Sequence, residues 1–143
     1  MNFEQARTNM VLNQLRANRI KNSSLIEKIE LFPRENLYPK SYKHLAYSDK
    51  IIFLDDGRFI LPPLTSFHLL QALGEIDDES ILEIGSGFGT STSIINKFSS
   101  NIDCIESSMQ MTEVFKNSIK DGLFNASLFC LLYTSPSPRD ISR

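Results

Sequence analysis

From Ile81 to Thr90 the chain reads Ile-Leu-Glu-Ile-Gly-Ser-Gly-Phe-Gly-Thr, an apolar strand running straight into three alternating glycines. Few folds accommodate that junction. Gly85 and Gly87 let the backbone pass close beneath a ligand, where any Cβ would collide. The flanking pattern predicts a strand over Ser80–Ile84, the loop Gly85–Gly89 and a helix over Thr90–Phe98. A second strand follows over Asn101–Ile105, then a helix over Met109–Lys120 capped by Asp121-Gly122, and Asn125–Phe129 begins a third strand. Strands alternating with helices of about ten residues imply a parallel sheet with right-handed crossovers. The fold class is α/β.

Upstream of residue 75 the pattern changes. Asn2 is placed to cap a helix through about Asn18, with Phe3, Ala6, Met10, Val11 and Gln14/Leu15 inward and Arg7, Asn13 and Arg16 facing water. Ser24-Leu25-Ile26-Glu27 reads as a capping box opening a second helix to about Phe32, stopped by Pro33. Arg34 to Ser48 is irregular or short helix. Ile51–Leu54 and Arg58–Leu61 flank Asp55-Asp56-Gly57, a hairpin signal that Pro62-Pro63 ends. A helix over Thr65–Leu73 is expected next, with Leu69, Leu70 and Leu73 inward and Gly74 as its cap.

Composition excludes several classes. With 143 residues, Phe 10 and 41% apolar side chains, the chain has enough apolar surface for a folded core, unlike a disordered tail. No apolar run approaches the ~18 residues of a membrane span, and the N-terminus lacks a signal peptide's apolar core. A net charge of −2 argues against a dedicated nucleic-acid binder. The charge is uneven: residues 1–50 carry nine Lys/Arg against five Asp/Glu, and residues 51–143 six against twelve. That split reads as a basic helical face beside an acidic α/β unit. Cys104 and Cys130 make no disulfide framework, and His44 and His68 lack metal-ligand spacing, so no metal is expected. A cytoplasmic location is the default expectation.

Two cofactors fit the glycine loop. A dinucleotide site wants G-x-G-x-x-G, but counting from Gly85 the sixth position is Thr90. Glu83 sets a negative charge beside the loop, which repels a pyrophosphate and suits the ammonium and sulfonium of S-adenosylmethionine. Glu106 ends the next strand, where a carboxylate can accept both hydroxyls of an adenosine ribose. The charge balance therefore favours S-adenosylmethionine over NAD. A glycine loop that merely turns the chain is the remaining alternative.

The sequence resembles the protein-L-isoaspartate O-methyltransferases from about Ala6 to Phe129. The likeness rests on Asn9-Met10-Val11 with Gln14-Leu15-Arg16, Phe32-Pro33-Arg34-Glu35, Leu45-Ala46-Tyr47, Gly57-Arg58-Phe59-Ile60-Leu61-Pro62-Pro63, the glycine loop and Ile105-Glu106. The resemblance implies a Rossmann-like class I methyltransferase sheet, here incomplete, behind an N-terminal helical and hairpin region. It implies methyl transfer from S-adenosylmethionine to the carboxylate of isoaspartyl residues in proteins or peptides, a protein-repair step, with no nucleic-acid or membrane partner. By matching, Glu83, Gly85, Ser86, Gly87 and Gly89 would hold the methionine part and Glu106 the ribose. One departure bears on catalysis. The family's usual run at this place is Ile-Ser-Gln-Pro, and Leu61 occupies the serine position; Thr65 or Ser66 is the nearest substitute hydroxyl. Alignment and exclusion of water carry most of such a displacement. The change therefore bears on substrate positioning, and a different acceptor or a non-catalytic cofactor-binding module are the alternatives.

The organisation expected is residues 1–74 as the region contributing to the substrate cleft and 75–129 as a partial cofactor-binding domain. Residues 130–143 are expected to be translated sequencing adaptor, with a genuine Ser/Pro-rich tail as the alternative. Cys130 to Asp140 matches, residue for residue, one reading frame of a common transposase-type sequencing-library adaptor. A sheet cut there leaves Ser80–Ile84 as an exposed apolar edge, so this chain is expected to aggregate or to bind cofactor weakly and to be inactive by itself.

Overall fold

A computed structural model of the chain describes residues 1–131. Of the segment that matches an adaptor, all but Cys130 and Leu131 lies outside the described residues.

Helix α1 (Phe3–Asn9) starts on Asn2, whose side chain accepts from Gln5 N at 3.1 Å. It continues through a π-helical stretch (Met10–Leu15) and a 3-10 turn (Arg16–Asn18), so the expected helix exists as one path of changing pitch. Met10, Val11 and Leu15 are buried on it. Arg7 does not face water as expected. Its Nε donates to the Tyr47 hydroxyl at 2.9 Å and its Nη2 lies 3.5 Å from Glu35 Oε1, while Tyr47 donates to Glu35 Oε2. Burial, then the Glu35 bond, pushes Tyr47 up to about 12. The partners come from 28 and 40 residues away, which helical periodicity cannot register.

Helix α2 (Ser23–Leu31) is capped by Asn22, not by the Ser24 box: Asn22 has the extended backbone a cap needs and accepts from Leu25 N at 3.0 Å. It ends on extended Phe32, as Pro33 requires. Arg34–Leu37 then forms a 3-10 turn. Arg34 Nε donates to Ala46 O at 2.8 Å, and its guanidinium sits 5.7 and 5.8 Å from the Tyr38 and Phe67 ring centroids. Tyr38 in turn meets Phe88 edge-on at 5.7 Å. The Pro-Arg-Glu segment thus buttresses the glycine loop.

Strands β1 (Ile52–Phe53) and β2 (Phe59–Ile60) form the expected antiparallel hairpin, pairing Ile52 with Ile60. Helix α3 (Pro63–Leu73) begins earlier than expected because Pro63 fits the first turn, where its missing N–H is not needed. Its inner stripe is Pro63, Ser66, Phe67 and Leu70; Leu69 and Leu73 are exposed, against expectation. The Phe67 ring, seated against Arg34, fixes which stripe turns inward.

The remainder alternates β3 (Ile81–Ile84), α4 (Thr92–Ile95), β4 (Ile102–Glu106), α5 (Met109–Lys120) and β5 (Ser127–Cys130). Helix α4 is shorter than the expected Thr90–Phe98, because tight bonds from Lys97 N to Ile94 O and Phe98 N to Ile95 O close its end. The sheet is parallel in the order β3-β4-β5, with Ile84 beside Ile105 and Ile105 beside Phe129. Ile102, Cys104 and Glu106 turn to the buried face. On the opposite face Leu82, Ile84 and Phe129 are 59%, 76% and 56% exposed. Among the described residues β3 has no partner on its outer edge. Such a face promotes self-association. Replacing Leu82 and Ile84 together by threonine keeps the strand preference and is expected to raise the concentration at which light scattering detects aggregates by roughly severalfold.

Candidate functional site

The glycine loop hangs from the ends of two neighbouring strands. Gly85 N donates to Ile105 O at 2.7 Å, which extends the β3–β4 ladder by one rung and holds the loop against the end of β4. Gly87 has φ +59, and this left-handed turn directs its N–H at Glu106 Oε2, 2.8 Å away. Glu106 is 1% exposed, and its Oε1 accepts from Ser107 N at 2.8 Å and Ser108 N at 2.9 Å. A buried carboxylate persists only when its lone pairs are filled in this way.

Arg58, at the foot of β2, closes the arrangement. Its Nη1 is 3.0 Å from Glu106 Oε1, its Nη2 donates to Oε2 at 3.3 Å, and Nη1 also donates to Ser107 Oγ at 2.8 Å. The hairpin turn is tied down beside it: Ser108 Oγ donates to Asp56 Oδ2 at 2.6 Å and caps α5 by accepting from Met111 N at 3.2 Å. The Ser108 bond, joined by the Arg58 N–H, holds Asp56 below its usual range.

Glu83 lies on the buried side of β3. Thr92 Oγ1 donates to its Oε2 at 2.5 Å, and Cys104 Sγ is 3.8 Å from the same oxygen. Desolvation outweighs those bonds and, with the nearby negative charge of Glu106, pushes Glu83 up to about 7. The same desolvation, with Glu83 beside it, pushes the Cys104 thiol up to about 12, so it is an inert buried group.

A cleft of about 90 Å³ separates the loop from the hairpin, with Glu83, Gly85, Ser86 and Gly87 on one wall and Leu61 and Ser66 on the other. Among the described residues Ser86 Oγ is buried there without a hydrogen-bond partner, and a Cβ on Gly85 would meet only Arg58 Nη2, at 3.9 Å. Five of the six residues expected around the cofactor (Glu83, Gly85, Ser86, Gly87 and Glu106) come together at this loop. Gly89 stands behind it, its Cα turned to Phe124. Leu61 reaches the cleft; Thr65 is exposed and outside its lining, so Ser66 is the nearer hydroxyl. Sequence reasoning missed Arg58 as a site residue. The signal was an arginine entering a strand beside an acid-rich loop, but its partner lies 48 residues away. His44 and His68 are exposed, and no metal-ligating cluster occurs among the described residues. No helix among them is long and apolar enough to cross a membrane.

A parallel sheet with a glycine loop after one strand and a buried carboxylate ending the next defines the Rossmann-like methyltransferase class of α/β domains. Residues 6–127 match the family described as Protein-L-isoaspartate(D-aspartate) O-methyltransferase (PCMT). The chain belongs to that family. The protein-L-isoaspartate O-methyltransferase of Protochlamydia amoebophila (strain UWE25) is 27% identical to it over 116 residues, 81% of this chain and 55% of the relative. Protein-L-isoaspartate O-methyltransferase 2 of Anaeromyxobacter sp. (strain Fw109-5) is 33% identical over 92 residues, 64% of this chain and 38% of that one. A solved protein-L-isoaspartate O-methyltransferase superposes with a TM-score of 0.68 at 22% identity, over 87% of this chain and 41% of its own, and shares the fold. The chain spans about half the length, or less, of the relatives it matches.

Proposed function

We propose that this chain carries the S-adenosylmethionine subsite of a carboxyl methyltransferase acting on isoaspartyl residues, a protein-repair activity. The observation that carries the reading is Glu106, a buried carboxylate at the end of β4, held by loop N–H groups and by the partly exposed guanidinium of Arg58, at the place where a ribose diol would bind. The loop fits the group in two further respects. Ser86 offers a buried hydroxyl that has no hydrogen-bond partner among the described residues, and Gly85 leaves open the space a side chain would fill. Glu83, Gly85, Ser86 and Gly87 would hold the methionine part and Glu106 the ribose, with Gly89 supporting the loop from behind. When bound, S-adenosylmethionine supplies an electrophilic methyl group on sulfonium.

An acceptor carboxylate is already a nucleophile, so the protein's share of the work is alignment and exclusion of water. Leu61 and Phe59 give the hairpin wall an apolar surface suited to the second task. Leu61 also supports a second reading, in which the same cofactor serves a different acceptor, because a hydroxyl at that position could hydrogen-bond a substrate and leucine cannot. Leu61→Ser separates the two: a large gain on isoaspartyl peptide, assayed as base-labile methyl ester, indicates that the native acceptor is another.

Ligand-observed NMR with S-adenosylhomocysteine tests the cofactor assignment. Weak binding is expected, and Glu106→Gln is expected to weaken it by roughly tenfold or more, since an amide cannot accept at both atoms. Preference for NAD over S-adenosylhomocysteine overturns the assignment.

A further inference from the structure

Glu106 has no free acceptor direction. Three backbone N–H groups, from Gly87, Ser107 and Ser108, and both ends of the Arg58 guanidinium already crowd the roughly four lone-pair sites of the carboxylate. A ribose diol brings two more donors. Something must leave, and the backbone donors cannot: Gly87 is fixed by its loop turn, and Ser107 and Ser108 lead into α5. Arg58 can. Its side chain is 36% exposed, against 0% for Glu106, and it projects from a hairpin whose strands are two residues long. The adjoining cleft is small, about 90 Å³ against the ~300–1,000 Å³ of pockets that enclose a ligand, and Arg58 Nη2 lies 3.9 Å from where a Cβ on Gly85 would stand.

We propose that Arg58 is a displaceable plug: it satisfies Glu106 in the unliganded chain and is expelled when the cofactor's ribose hydroxyls take its place. Glu106 keeps its three backbone donors, and two hydroxyls take the place of the Arg58 Nη2 hydrogen bond and the Nη1 contact, so its oxygens stay hydrogen-bonded while the ion pair is given up. Arg58 loses its ion pair and gains water. Cofactor binding is thereby coupled to release of the hairpin arginine beside the wall that carries Phe59 and Leu61. The inference rests on the cofactor reading above and specifies how that site is regulated.

The test is an NMR titration of the full chain with S-adenosylhomocysteine and with its 2′,3′-dideoxy analogue. Arg58→Ala and the milder Arg58→Gln are expected to bind the diol ligand roughly three- to tenfold more tightly than the unsubstituted chain, with a smaller change for the analogue, which has no need to expel the plug. In the unsubstituted chain the diol ligand is expected to move the Arg58 Nε resonance to a solvent-exposed position. Equal or weaker binding by both variants, or an Arg58 resonance that does not respond, overturns the plug and leaves the cofactor reading standing. No binding by the unsubstituted chain or either variant overturns the cofactor reading, and the plug falls with it.

Discussion

Gly89→Ala is expected to lose about 2–5 kcal/mol of stability, a large part of the ~5–15 kcal/mol that holds a typical domain together. Two independent penalties combine. Gly89 has φ +86, a left-handed backbone that costs an L side chain ~1–2 kcal/mol. A Cβ there would also stand 2.5 Å from Phe124 Cζ and 2.8 Å from its Cε1, with Phe115 Cδ2 at 3.3 Å. Neither ring can withdraw cheaply. Phe115 and Phe124 are 0% and 5% exposed and meet edge-on at 4.9 Å, so a displaced ring presses into packed core, an overpacking cost of ~1–3 kcal/mol. Gly85→Ala is the control. It pays the backbone term alone, because only the mobile end of Arg58 lies within 4 Å of its Cβ. Thermal unfolding followed by circular dichroism should rank the two variants far apart. Equal melting temperatures would show that the Phe115–Phe124 pair yields, and that Gly89 is needed only for its turn.

That contrast separates what local pattern encodes from what it does not. The strand–loop–helix junction, the Asp-Gly hairpin and helix α5 were legible because each is specified within a few residues: apolar alternation, a turn residue, a cap. Asp121-Gly122, for example, ends α5 where the sequence places its cap, with Gly122 at φ +76. The distinction among the loop glycines was not legible. Gly85 and Gly89 look alike in the sequence, yet one faces an open cleft and the other a phenyl ring from beyond α5. The misplaced side chains share that cause. Arg7 read as a solvated cation and Arg58 only as the start of a hairpin strand, because their carboxylates, Glu35 and Glu106, arrive from 28 and 48 residues away. Leu69 and Leu73 read as core because leucines at helical spacing usually are, but Phe67 and Leu70 occupy the inner stripe. The candidate site was legible as a set of loop residues and a distant carboxylate; the cation between them was not.

Glu83→Gln is expected to stabilise the chain at pH 8 by roughly 1–3 kcal/mol while weakening cofactor binding by roughly tenfold. The carboxyl is pushed up to about 7, chiefly by desolvation, whereas its ordinary value is 4.5. The folded chain therefore retains a proton that the unfolded chain has released between those two values. The stability contributed by the protonated acid is complete below pH 4.5, declines as pH rises toward 7 and is gone above it. Glutamine is neutral at every pH, so it removes this decline, and its amide oxygen can still accept from Thr92 Oγ1. Binding should respond in the opposite sense. A ligand ammonium favours ionised Glu83, so S-adenosylhomocysteine should bind the unsubstituted chain more tightly as pH rises through 7, with proton release. Glu83→Gln should show neither effect; the two proteins should converge in binding at pH 5.5, where folded Glu83 is neutral, and in stability only as pH falls below 4.5, where the unfolded carboxyl is protonated too. Denaturant unfolding at pH 5.5 and 8 with NMR titrations at the same values checks both halves. A variant that is no more stable at pH 8 would mean that Glu83 is ionised without cost in the unliganded fold. A variant that binds as well as the unsubstituted chain at pH 8 would remove the carboxylate from cofactor recognition. If both gains and losses appear as expected, the buried acid of β3 is a group that reduces stability in the unliganded chain and is relieved by a cationic ligand.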